Sequence, residues 1–503
     1  MASNKSQSVL PIGYQALIEM YDLQILPHFR RSFIGSKYTL EKVIEKGQES
    51  HTYPAKYQVK NPQSPIDQIE FAFKYDGINL EVLTALFKKI ESTEIENYVR
   101  SFPTGKFARK LWYLYEGLTG IRLNLPNVNR GNYVHLLDGD QYYTGREIRS
   151  SRHYVIDNLL GNFIYCPTIR RTDNLKKMEL LELNKKASEI VAEYDSEVIG
   201  RAMRYLYMKE TMSSYEIERE RPNKERMMRF VHLLQQSEKQ KEISKEWLIE
   251  LQNRTVDPRF AEADYRTEQN YVGEEPVPGS MIVHYICPKP ENVVDLMNGW
   301  LESVQRILES AINPVIAAAI ISFGFVYIHP FIDGNGRLHR FLIHYVLSKM
   351  NFVPVGSIFP ISATILNHLR EYDHTLESFS TPLLSQIDHY QLDSYGRMSV
   401  EQDTYSYYRF PDYTNFAEFL FRQVETTIET DFRHELDYIV HYDEAKRKIS
   451  ELIDMPDRDL DLIIKMIRQN QGVLSEKKRE KFFGKLTDDE IRDIEEIVKA
   501  TFI

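Results

Sequence analysis

His329-Pro330-Phe331-Ile332-Asp333-Gly334-Asn335-Gly336-Arg337-Leu338-His339-Arg340 is the stretch on which the reading of this chain turns. It follows Pro314 to Ile328 (PVIAAAIISFGFVYI), apolar apart from Ser322 and the Tyr327 hydroxyl, and runs into a second apolar-periodic segment through Phe341 and Val346. That pattern predicts two helices, the first buried in the protein, joined by a turn. Gly334, Asn335 and Gly336 tolerate left-handed dihedrals, so the turn can aim successive backbone N–H groups at one point. The positive end of the following helix reinforces such an anion cradle. Arg337 and Arg340 stand three apart and share a helix face, where two guanidinium groups can clamp different phosphates of a polyphosphate. Asp333 offers the hard oxygen that Mg²⁺ takes beside phosphates. The imidazole of His329 has an ordinary pKa of about 6.5, which suits a base taking a proton from a hydroxyl near neutral pH. Base, metal ligand, anion cradle and two clamps within one short segment predict a phosphoryl- or nucleotidyl-transfer site.

The segment also resembles, at every defining position, the H-P-F-x-(D/E)-G-N-G-R-x-x-R signature of Fic proteins, a far more specific pattern than a lone glycine motif. The resemblance implies a mainly α fold: a Fic-type helical core with a small β-hairpin flap, flanked here by an N-terminal α+β module and a C-terminal helical domain. It implies a protein adenylyltransferase that moves AMP from Mg-ATP to a Ser, Thr or Tyr hydroxyl of a target protein and releases pyrophosphate. His329 would be the base and Asp333 the Mg²⁺ ligand. The amides of Gly334, Asn335 and Gly336 would hold the α-phosphate, Arg337 the β-phosphate and Arg340 the γ-phosphate. Arg266 to Gly273 and Met281 to Pro288 look like the family's lead-in and flap, whose edge would hold the target by strand addition. Asn367 and Tyr372 sit where the family often lines the nucleotide pocket. Many relatives carry an inhibitory helix of pattern (S/T)-x-x-x-E-(G/N). Ser214 and Glu218 match its spacing, with Arg219 departing at the last position. A Glu218–Arg340 ion pair would put a carboxylate in the γ-phosphate clamp.

Working outward, 503 residues exceed one compact core and the composition, 42% hydrophobic and 27% charged, is that of a globular protein. A formal charge of −10 gives no overall field toward DNA or anionic membrane. Cys166 and Cys287 are too few for a disulfide framework and too far apart for C-x-x-C, which points to a reducing cytoplasm. No basic stretch followed by an apolar run is visible at the N-terminus. The Pro314 to Ile328 run is shorter than the roughly 20 residues a membrane span needs.

Four blocks are expected: an N-terminal arm over 1–65, an α+β module over 66–172, the Fic core over 173–400 with the inhibitory helix near 211–220, and a helical domain over 401–503. In the module, Asn79 reads as the N-cap of a helix from Leu80 to Ile90, and Lys106 to Gly117 as a second helix. Tyr133 to Leu137 and Gln141 to Thr144 flank an Asp-Gly-Asp turn and predict a hairpin, a winged-helix-like pattern that ordinarily binds DNA or protein. Ser237 to Glu246 reads as a solvated helix face. Asn415 to Ile453 predicts one long helix, and Thr487 with Glu490 a capping box for a last one. His434-Glu435 begins an H-E-x-x-H pattern, but Tyr438 stands at the second ligand position, against a zincin. The competing functions are removal of AMP or transfer from another nucleotide or phosphodiester donor by the same site. From another class comes a DNA- or partner-binding regulator with a vestigial core. The partners expected are ATP and a protein target, the chain itself among the candidates, with a homodimer and DNA binding by the N-terminal module as further candidates and no membrane.

Overall fold

The computed structural model describes residues 9–45, 48–237, 242–354 and 356–502. The expected solvated face over Ser237 to Glu246 falls partly on 238–241, outside the described residues. The chain forms two compact units, each discontinuous in sequence: 1–181, 236–350 and 368–421 in the first, 182–235, 351–367 and 422–503 in the second. Both are built mainly of helices, and among the described residues the small sheets lie in the first.

Within the segment expected as an arm over 1–65, the described residues 9–45 and 48–65 form strands and helical segments. Leu10–Pro11, Arg30–Gly35, Gln48–Pro54 and Glu41–Glu45 make a four-stranded sheet in that spatial order. Arg30–Gly35 runs parallel to Gln48–Pro54, and Arg30 lies opposite Glu49, whose carboxylate it meets at 2.9 Å. Ile12, Ile34, Tyr53 and Phe71 form a small core that seats this sheet on the helix Pro65–Tyr75. Ser64 starts that helix by accepting the Asp67 N–H, with Pro65 at the first helical position. Asn79 accepts the Val82 N–H at 2.9 Å and opens the helix Leu80–Phe87, as its sequence position predicts. Lys106–Thr119 follows, and both pack into one large apolar core with Trp112 at its centre.

The expected 133–144 hairpin does not form. Val134–His135 pairs in parallel with Val155–Asp157, which also pairs antiparallel with Ile148–Ser150. Asp138 does start a turn, its carbonyl accepting from the Gln141 and Tyr142 N–H groups, but Tyr142 then bridges to Arg170. The reason is burial. Leu136, Leu137, Tyr142 and Tyr143 are all inside, and consecutive buried residues need cover on both faces, which a two-stranded hairpin lacks.

Around the motif, Pro290–Leu308 packs on Pro314–Ile328, which packs on Asn335–Lys349. Asn313 caps the apolar helix by accepting the Val315 N–H, and Pro314 takes the first helical position. All but two of its residues, Pro314 and Val326, are buried, as expected of an interior helix. Gly324 lets it approach its neighbours closely, since a Cβ there would lie 2.5 Å from the Tyr165 hydroxyl. Among the described residues no helix is long and apolar enough to cross a membrane.

In the second unit Ser196–Ile217 packs on Ile361–Asn367 and Arg433–Leu452. Buried Glu210 accepts from the Ser362 N–H and hydroxyl, and Lys209 pairs with Asp431 and Glu435. The long helix expected from Asn415 is Thr414–Thr426 and Arg433–Leu452, with a π-helical segment at Thr427–Phe432 between them. Asp457–Gln469 and Asp488–Phe502 close a C-terminal core of Ile463, Ile467 and Ile494. The capping box is present: Thr487 N–H donates to Glu490 at 2.7 Å, and Glu490 N–H to the Thr487 hydroxyl at 3.3 Å.

Candidate active site

The apolar helix ends where His329 takes a left-handed conformation, φ 53°, ψ 59°. This non-glycine outlier turns the chain sharply and is held by the His329 N–H bond to the Phe325 carbonyl. The His329 ring is half-buried, and its Nδ1 lies 3.0 Å from the Val326 carbonyl. A carbonyl can only accept, so Nδ1 carries the proton and the neutral ring has its lone pair on Nε2, the tautomer a base needs.

Five residues later Gly334, at φ 93°, caps the helix Asn335–Lys349. No side chain fits there: a Cβ would meet Val256 Cγ1 at 2.8 Å, besides the backbone strain. The Asp333 Oδ1 accepts both the Gly334 N–H and the Arg337 guanidinium, each at 2.6 Å. Asn335 is buried and its amide grips one residue twice, accepting the Phe331 N–H at 3.1 Å and donating to the Phe331 carbonyl at 2.7 Å. The first-turn N–H groups of a helix have no intrahelical acceptor, and here they begin at a glycine turn beside two arginines. Arg337 and Arg340 are each 1% exposed, an unusual state for guanidinium groups and one that calls for anionic partners.

The remaining backbone groups of the loop are held by residues 252–270: Arg266 and Asn270 lie in the lead-in that the sequence singled out, whereas Gln252 and Glu262 were not singled out. Arg266, 3% exposed, donates from Nε to the His329 carbonyl and from its backbone N–H to the Pro330 carbonyl, both at 2.8 Å. Asn270 donates to the Phe331 and Ile332 carbonyls at 3.3 and 3.2 Å. Glu262 accepts the Ile332 N–H at 2.8 Å, and burial pushes its carboxyl above the ordinary value. Gln252 donates to the Asp333 carbonyl at 3.2 Å and to Glu262 at 3.3 Å. One signal was readable: in the helix Lys245–Thr255, Gln252 sits on the buried stripe with Leu248, Leu251 and Thr255, where a polar side chain must find partners.

The flap is present as Tyr271–Val277 paired antiparallel with Ser280–Ile286, with irregularities at Val272/Gly273 and Glu274/Val277. Its outer part is exposed, and the Tyr271 hydroxyl donates to the Gly396 carbonyl at 3.0 Å. Thus the first unit brings together His329, Asp333, Gly334, Asn335, Gly336, Arg337 and Arg340. Tyr372, on Leu369–Leu384, is buried, its ring 6.4 Å from His339 in near-parallel stacking and 5.8 Å from Phe419. His339 itself is fully buried against Phe323, and desolvation holds its pKa at about 3.

Ser214 and Glu218 belong to the second unit, as does Asn367 at the exposed end of Ile361–Asn367. Ser214 is buried in Ser196–Ile217, and Glu218 is the exposed residue just past that helix. Arg219, the departure from the inhibitory pattern, adopts φ 57° and donates its N–H to the Glu216 carbonyl. This left-handed helix terminus is what Gly or Asn favours, so the position makes the backbone demand of the pattern although its side chain differs. Among the described residues no three His, Cys, Asp or Glu side chains are grouped to hold a metal ion.

Residues 242–347 match the model of the Fic/DOC family. The chain is 33% identical over 117 residues to the protein adenylyltransferase Fic of Drosophila willistoni, covering 23% of this chain and 21% of that protein. It is 33% identical over 132 residues to protein adenylyltransferase fic-1 of Caenorhabditis elegans, covering 25% and 24%. It thus spans about a fifth to a quarter of the length of these curated relatives. A solved Fic family protein from Desulfovibrio desulfuricans is similar with 16% identity and a TM-score of 0.36, over 64% of this chain and 87% of that one. The turn from His329 to Arg340 lies inside the segment that matches the Fic/DOC family model, and the similarity of this chain to that family rests on residues 242–347.

Proposed function

We propose that the protein transfers AMP from ATP to a hydroxyl of a protein target. The observation that carries this reading is the junction of the two central helices: a histidine whose Nδ1 is committed to a carbonyl stands beside a glycine-capped helix N-terminus carrying two buried arginines. The names of the relatives matched over this segment agree with it.

In this reading the α-phosphate rests on the N–H groups at Gly334, Asn335 and Gly336, with Arg337 on the β- and Arg340 on the γ-phosphate. Asp333 fits a Mg²⁺ ligand: it is a single carboxylate, its side chain 39% exposed, and Mg²⁺ beside phosphates takes only one or two protein carboxylates. The ion would neutralise phosphate charge. The target hydroxyl oxygen attacks the α-phosphorus while His329 Nε2 takes its proton. The bond from that phosphorus to the α–β bridging oxygen breaks, and pyrophosphate leaves with the electron pair. Tyr372 supports the motif helix from below through His339. Glu218 restrains the reaction by pairing with Arg340, in competition with the γ-phosphate, with Ser214 holding the inhibitory helix.

Incorporation of label from α-labelled ATP into protein, with γ-labelled ATP as control, tests the reading. Uptake should rise with Glu218→Gly and fall by about 10²–10⁴ with His329→Ala, the usual contribution of a general base. Label entering from the γ- but not the α-position would replace AMP transfer with phosphoryl transfer. Uptake unchanged by His329→Ala would remove the base.

A further inference from the structure

The catalytic loop does not hold itself. Between His329 and Asp333 four carbonyls and one central N–H are engaged by side chains of residues 252–270, and the Pro330 carbonyl by the Arg266 backbone N–H. Within that brace Gln252 and Glu262 form a closed pair. The Gln252 amide donates to Glu262 Oε1 at 3.3 Å, and its Oε1 accepts the Glu262 N–H at 3.2 Å. A second bond from the same amide, 3.0 Å to the Phe260 carbonyl, anchors the pair to its own segment. From this anchor two bonds reach the loop: Glu262 Oε1 to the Ile332 N–H and Gln252 Nε2 to the Asp333 carbonyl. They straddle the peptide that joins Ile332 to Asp333, one on the N–H before it and one on the carbonyl after it.

That placement sets where the Asp333 carboxylate points. The Asp333 backbone is fixed on its carbonyl side by Gln252, and its side-chain Oδ1 is fixed by the Gly334 N–H and Arg337. Gln252 is fully buried, and an amide there that bonds the Asp333 carbonyl, Glu262 and the Phe260 carbonyl has no packing reason to be polar. Resting on the nucleotide-transfer reading, we infer that Gln252 and Glu262 are positioning residues for Asp333: they aim its carboxylate at the divalent cation that accompanies the nucleotide. Neither touches the substrate. Glu262 acts as a hydrogen-bond acceptor: its bonds from the Gln252 amide and from the Ile332 N–H end on one oxygen, which an amide can replace.

The test is ADP binding by calorimetry with the full chain, in Mg²⁺ and in EDTA, for wild type, Glu262→Ala, Glu262→Gln and Gln252→Leu. ADP lacks the γ-phosphate, so turnover and any competition for the γ-phosphate position leave the measurement untouched. The readout is the gain in affinity that Mg²⁺ confers. Partners of a ligating carboxylate typically govern metal affinity by a factor of about 10 or more. The gain should therefore drop about tenfold in Glu262→Ala and Gln252→Leu, with the EDTA value changed by less than about twofold, and should return in Glu262→Gln. Circular dichroism melts confirm that each variant is folded. A gain that stays at the wild-type value, or an equal loss in both conditions, overturns the positioning role and leaves nucleotide transfer standing. A wild type with no Mg²⁺ gain removes the nucleotide reading itself, and this inference with it.

Discussion

The catalytic loop and the flap both bond to the same segment, Arg266 to Asn270, yet they are held by opposite means. Between Phe331 and Gly336 the backbone bonds to side chains: Asn335, Asn270, Glu262, Gln252 and Asp333 each occupy one or two of its polar groups. The flap bonds to itself, strand on strand, with two irregularities, and leaves Val272, Val277, Met281 and Ile282 exposed. Side-chain bonds fix a loop in one geometry, because each has its own direction and length. A two-stranded ribbon keeps main-chain donors and acceptors along its outer edges, ready for an extended segment of any sequence. The difference separates two tasks. Charge stabilisation needs donors that do not move, and target binding needs an edge indifferent to side chains.

The comparison breaks most visibly at Asn335. In Asn335→Ala the buried Phe331 N–H loses its acceptor, and a buried unsatisfied donor costs about 1–3 kcal/mol. Denaturant unfolding should show a loss of that size, with Asn335→Asp intermediate, since it keeps an acceptor for the N–H but sets a carboxylate against the Phe331 carbonyl. If Asn335→Ala unfolds with wild type, the loop does not depend on its side-chain bonds.

A smaller effect separates the flap from the loop. A Cβ on Gly273 would lie 2.6 Å from the Ile282 carbonyl, a backbone atom of the opposite strand that cannot swing aside. Gly273→Val should displace the ribbon and slow transfer to a protein target about tenfold, as misplacement of a reactant does, while ADP affinity stays within about twofold. A fall in ADP affinity as large as the fall in transfer would mean that flap and loop are one device.

What the sequence made legible follows the same division. Everything carried by neighbours in the chain was readable: the Asn79 cap, the Thr487–Glu490 box, the apolar helix before His329 and the glycine turn after it. Contacts between distant residues were not. The Arg30–Gly35 strand finds its parallel partner across an intervening strand, and Val134–His135 pairs with the fully buried Val155–Asp157 instead of its neighbour. Gln252 and Glu262 reach the loop from 81 and 70 residues away, so no spacing rule could announce them. The chemistry-bearing half of the site was local and its supporting half was not.

The finest test lies within the motif, which carries two histidines. His339 sits at 0% exposure between Phe323 and the Tyr372 ring, and burial, with the charge of Arg340 beside it, depresses its pKa to about 3. In an unfolded chain its pKa would be about 6.5. The folded state therefore refuses a proton that the unfolded state accepts. This group costs no stability above about pH 6.5, and stability falls as pH drops from there toward about 3, below which the penalty is constant. One such proton corresponds to a slope of about 1.4 kcal/mol per pH unit. His339→Leu, a swap to an apolar side chain at a site packed between the Phe323 and Tyr372 rings, should cost less than about 1.5 kcal/mol at pH 7.5. It should also flatten the unfolding free energy between pH 6 and 5 by about 1.4 kcal/mol relative to wild type. The pH profile of AMP transfer should stay where it is, because the proton that matters for transfer is taken by His329. Should His339→Leu instead shift that profile and leave the stability slope alone, the two histidines would exchange roles, and the buried ring would belong to the chemistry.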